Sequence, residues 1–136
     1  MANYKVVEIE GIGPTYAAKL QAANIATTAD LLRACADSKG RKALAQSTGI
    51  DEARLLKWAN MADLMRIKGV GKQYAELLEA AGVDTVKELK QRVPANLAAK
   101  MAEVNAARKL TRAVPAEKMV ARWIEQAKSL PPALSH

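Results

Sequence analysis

The sequence contains no phenylalanine, one cysteine (Cys35) and one histidine, the final residue His136. A single cysteine rules out an internal disulfide framework and fits a reducing compartment. One thiol and one distant imidazole make no zinc set, and no metal or cofactor is expected. Aromatic residues are 4% of the chain, too few for a surface that holds single strands by stacking bases. No segment approaches the ~18 consecutive apolar residues of a membrane span. The opening residues Met1 to Lys5 are not followed by the apolar core of a signal peptide. A soluble cytoplasmic protein with no membrane partner is expected.

Half of the 136 residues are hydrophobic, enough to build a core in one domain or two small fused halves. The net charge is +7 and it is uneven. Residues 1–66 carry nine Lys/Arg against seven Asp/Glu, a net of +2, whereas residues 67–136 carry twelve against seven, a net of +5. A basic balance suits an anionic partner, although it also suits an ordinary solvated surface.

The most informative stretch is residues 67–83, in which Ile67-Lys68-Gly69-Val70-Gly71 leads into Lys72, Gln73 and Tyr74. Gly69 and Gly71 permit a tight turn. Tyr74, Leu77, Leu78 and Ala81 follow at helical spacing, and Gly82 stands where a helix end favours a left-handed residue. The same pattern begins 58 positions earlier. Between residues 9–31 and 67–89, ten of 23 positions are identical. Asn24 replaces Gly82, the usual second choice for that cap, and Thr27 with Asp30 matches Thr85 with Glu88 as a helix start. A gapless match that preserves local roles points to a duplicated unit.

The rest of the chain reads as helices. These are expected from Pro14 to Ala23, Thr28 to Ala36, Arg41 to Gln46 and Glu52 to Arg66. Asp37 to Gly40 reads as a turn, Gly49 as a break and Asp51 as an N-cap. In the second half helices are expected from Val86 to Arg92 and from Pro94 to Glu103, with Asn105 capping a further turn through Leu110. Pro115 opens a last helix whose inner stripe is Met119, Val120, Trp123, Ile124 and Ala127. Trp58 and Trp123 fall on apolar stripes and belong to the core. Tyr16 and Tyr74 are expected against neighbouring helices, the alternative being a stacked base or sugar. The expected fold is all-α, a compact bundle of eight to ten short helices. It forms a single domain over residues 1–136, made of two pseudo-repeats of about 4–66 and 67–130, with 131–136 as a loose tail.

Gly11-Ile12-Gly13 and Gly69-Val70-Gly71, each with an isoleucine two positions upstream and an alanine four positions downstream, resemble the helix-hairpin-helix motif. Over residues 4–132 the chain also looks like a family of uncharacterised bacterial proteins that carry two such hairpins at this spacing. The resemblance implies backbone contacts to nucleic-acid phosphates without sequence preference. The chemistry agrees, because a glycine turn that opens a helix presents free N–H groups at the positive end of the helix dipole.

The second hairpin, with Lys68, Gly69, Val70, Gly71 and Lys72, is the leading candidate. The first offers Gly11, Gly13 and Thr15 but has Glu10 and Pro14 where the second has lysines. Arg108, Arg112, Lys118 and Arg122, with Lys100 and Lys109 near them, form a second basic group that extends a phosphate track or simply faces solvent. No catalytic set is present. Cys35 has no base beside it, and Asp84 beside Thr85 reads as part of a cap, so the chain is not expected to be an enzyme. The first expectation is a non-enzymatic nucleic-acid-binding protein for duplex DNA. The alternative is a protein-interaction or scaffold module in which the glycines serve only the turn.

Overall fold

The computed structural model describes residues 3–136. Those residues form eight α-helices and no strand, with one short 3-10 turn at Val6–Glu8. The chain near Lys5 meets Thr27 in an isolated antiparallel bridge.

The first helix, α1 (Pro14–Ala22), starts on Pro14, whose missing N–H is no loss in a first turn. It ends at Asn24, which takes a left-handed φ of +66°. The Ile25 amide then returns to the Leu20 carbonyl and the Asn24 amide to that of Gln21, the paired bonds of a Schellman ending. Thr27 caps α2 (Thr28–Ala34), its hydroxyl accepting from the Asp30 amide while Asp30 accepts from Thr27 in return. The Asp30 carboxyl is held below the usual carboxylate range by the amides of Ala26 and Thr27.

Asp37 to Gly40 is not a free-standing turn. Asp37 caps α3 (Ser38–Thr48) by accepting from the Gly40 amide, so Gly40 lies inside the helix. Gly49 stops this helix in the left-handed region. Asp51 caps α4 (Glu52–Leu64), and its stripe Leu55, Trp58, Ala59, Ala62 and Met65 is buried as the spacing requires. This central helix packs against α2, α3 and α5.

In the second half α5 (Lys72–Ala80) ends in the same two bonds as α1, from Val83 to Leu78 and from Gly82 to Glu79. The next helix, α6 (Val86–Leu89), is one turn long and stops short of Arg92, whose guanidinium donates to the Gly82 carbonyl. Asn105 caps nothing. It is a buried interior residue of α7 (Pro94–Arg108), and its amide exchanges two hydrogen bonds with the Thr111 backbone, turning the chain back. The last helix, α8 (Glu117–Ser129), buries Val120, Trp123, Ile124 and Ala127, while Met119 is only partly covered.

Residues 131–136 are not loose. Pro131 and Ser135 carbonyls accept from the guanidinium groups of Arg66 and Arg41, at 2.7 and 2.8 Å. The Ser135 amide donates to Ala36, and His136 contacts Asn60. Both arginines are buried, so each guanidinium takes a backbone acceptor to offset its lost water. Arg66 is also paired with buried Asp63, which accepts from the Val86 amide with its other oxygen. Cys35 is fully buried and its thiol is pushed up to about 11 by burial, as befits a small core residue. Among the described residues, no helix is long and apolar enough to cross a membrane.

Candidate nucleic-acid interface

Ile67 and Val70 anchor the second glycine turn in the core, while Lys68 and Gly69 project into solvent between them. The Val70 amide closes the turn onto the Ile67 carbonyl. Gly69 has a φ of +96°, and a Cβ there would sit 3.3 Å from the indole Nε1 of Trp123. Gly71 is extended and caps α5 without a side chain. The first turns of helices leave N–H groups without helical partners. Among the described residues, no protein group accepts from the amides of Gly69, Gly71, Lys72 or Gln73. The Lys68 amide is different: it donates to Gln126 Oε1 at 3.0 Å, and Gln126 Nε2 donates back to the Lys68 carbonyl.

The Gln126 clasp fixes α8 to the turn. Lys118, Arg122 and Gln126 are four residues apart, so they line one side of α8. Lys118 and Arg122 are exposed. A row of two cations therefore leads along α8 to the peptide that bears Lys68. Tyr74 packs on Trp123 with ring centroids 5.3 Å apart, and its hydroxyl contacts the Ala113 carbonyl. That contact ties the loop bearing exposed Arg112 to α5.

The geometry of the first turn matches the second closely. Gly11 has a φ of +94°, and a Cβ there would sit 3.3 Å from Trp58 Nε1, as one on Gly69 would from Trp123. Ile9 and Ile12 are buried, and Tyr16 packs on Trp58 at 5.1 Å. Gly13 caps α1, but Pro14 supplies no N–H, and exposed Thr15 follows it. Arg54 and Lys19 cover the Tyr16 ring at 5.6 and 5.9 Å, so that ring is not open for base stacking.

A family model described as "Domain of unknown function (DUF4332)" matches residues 10–130. The chain belongs to the DUF4332 family. No curated protein and no solved structure matches it.

In this DUF4332 chain the two turns are joined by an ion pair that neither turn predicts alone. Lys72 Nζ lies 3.2 Å from Glu10 Oε2, with both side chains about half exposed. A cleft of about 360 Å³ opens beside Glu10 and Gly11, with Trp58, Glu76, Glu79 and Arg108 among its walls. The Glu76 carboxyl is pushed up by burial first and by Glu10 second, while Arg108 and Lys72 pull it down. Arg108 thus serves a mixed-charge cleft, and its place differs from that of Lys118 and Arg122. Sequence reasoning missed Gln126 and the Glu10–Lys72 pair. The four-residue step from Arg122 was the only available signal for Gln126, and the pair joins positions 62 apart. Among the described residues, no group of three or more His, Cys, Asp or Glu side chains is placed to hold a metal ion.

Proposed function

We propose that the protein binds the phosphate backbone of duplex DNA without sequence preference and without catalysing a reaction on it. On this reading each glycine turn is a helix-hairpin-helix unit and the two are copies of one element. The second, with Gly69, Val70 and Gly71, is the main contact. The carrying observation is the Gln126 clasp. It holds the turn that bears Lys68 to α8, on which Lys118 and Arg122 precede Gln126 at four-residue steps; on this reading those cations and the unpartnered amides of Gly71, Lys72 and Gln73 form one track. Contacts of this kind position a protein on nucleic acid and do not read bases. Arg112 extends the track from the loop tied to Tyr74. Gly11, Gly13 and Thr15 contribute less, because Pro14 removes a donor and Glu10 repels phosphate.

The Glu10–Lys72 pair favours a second reading, a protein-interaction module in which this mixed-charge seam meets a partner protein.

Fluorescence anisotropy of a short labelled duplex, in low and then physiological salt, separates the two. Binding should weaken by about 0.9 log units per log unit of salt for each phosphate contacted. Lys68→Glu should weaken binding to all sequences alike. Glu10→Gln, which frees Lys72, should tighten it. Absence of binding even at low salt, or indifference to both substitutions, would turn the assignment to the interaction module.

A further inference from the structure

We propose that the hollow between α4, α6 and the C-terminal segment binds a small amphipathic anion, an apolar body ending in one carboxylate. The hollow measures about 480 Å³, within the usual size of ligand pockets. It lies apart from the glycine turns, and this inference does not depend on nucleic-acid binding.

Its apolar wall comes from Val86 of α6 and from Leu130, Ala133 and Leu134 of the docked tail. Asp63 and Arg66 also line it, but their charges are already satisfied. Asp63 accepts from Arg66 and from the Val86 amide, and Arg66 donates to Asp63 and to the Pro131 carbonyl. Two further cations line the same space, Lys87 and Lys90. Among the described residues, neither has a carboxylate within ion-pair distance. Asp84 and Glu88 line the adjoining depression, which Lys87 and His136 also border. Lys87, Lys90 and His136 all line the hollow, and Lys87 and His136 border the adjoining depression as well.

An apolar recess with an internally neutralised ion pair and two uncommitted ammonium groups has an excess of positive charge. Apolar surface favours a hydrocarbon body, and the ammonium groups favour an anionic head as point charges. A duplex backbone is too wide and too polar for the same space.

The test is titration of decanoate into the full chain, followed by amide NMR and calorimetry. Saturable shifts are expected at Val86, Lys90, Ala133 and Leu134, with a Kd on the order of 1 mM. Lys87→Ala/Lys90→Ala should weaken binding by about fivefold, and neutral decanol should bind less well than decanoate. Lys90→Gln, which removes the charge and keeps most of the side-chain length, serves the same comparison if the double variant does not fold. Lys68→Glu should leave decanoate binding unchanged while altering DNA binding, which keeps the two sites distinguishable. Absence of saturable shifts in the millimolar range, or equal binding by the lysine variants and by decanol, would overturn the proposal.

Discussion

Gly69 and Gly71 stand two residues apart and do different work. Gly69 occupies the left-handed region beside Trp123 Nε1, whereas Gly71 is extended with open space where a Cβ would be. Gly69→Ala should cost about 1–2 kcal/mol from the backbone alone, and Gly71→Ala should leave stability nearly unchanged; thermal denaturation of both variants checks this. Both glycines were legible as a turn because local chemistry dictates them, and Tyr74 was legible as a packing residue for the same reason. Glu76 was not singled out, since its surroundings arise only when α5 meets Glu10 and Arg108. Its raised folded-state pKa means that folding disfavours the ionised form. That penalty is absent below the usual carboxylate range and develops as pH rises through the folded-state value. Glu76→Gln should therefore raise the Tm at neutral pH, and the gain should disappear in acid. An equal gain at both pH values would contradict the assigned cause.

Helix ends show where local reading succeeds and where it stops. The caps at Thr27, Asp51 and Thr85 form as their side chains dictate, because a cap involves only three or four neighbouring residues. The Asp51 carboxyl is held below the usual carboxylate range by the Arg54 amide. Its contribution to stability is present above its unfolded-state pKa and is lost as pH falls through the folded-state value. Gly40 misleads, because Asp-Ser-Lys-Gly has the composition of a turn yet forms the start of α3. A Cβ on Gly40 would lie inside hard contact with the Ala34 carbonyl oxygen. The residue is thus small because α2 and α3 touch there, a reason invisible in composition. Gly40→Ala should cost about 1–3 kcal/mol through overpacking, measurable as a lowered urea midpoint with an unchanged slope. Asn105 misleads in the same way, since its partner is the backbone of Thr111 beyond the helix end.

Across the whole molecule, long-range polar pairs fix what helical periodicity leaves open. The all-α class followed from apolar spacing. The docking of residues 131–136 did not, because it depends on Arg41 and Arg66 reaching carbonyls 94 and 65 positions away. Asp63 organises one end of this arrangement by holding both Arg66 and the Val86 amide. Asp63→Ala should destabilise the protein by about 3 kcal/mol, since it leaves a buried guanidinium without its counter-ion. It should also free the tail, detectable as faster amide exchange at residues 133–136. Lys68–Gln126 and Lys72–Glu10 act at the same scale. The first aligns a basic row with the second turn, and the second shields one of its two lysines. The family match extends over residues 10–130 and so takes in both glycine turns and all eight helices. The most direct test of phosphate binding is an amide NMR titration with a short duplex at low salt. Phosphate binding requires the largest shifts at Gly69, Gly71, Lys72 and Gln73, with smaller ones at Lys118 and Arg122, all reversed by added salt. Shifts confined to other surfaces, or none at these amides while the duplex is bound, would contradict it.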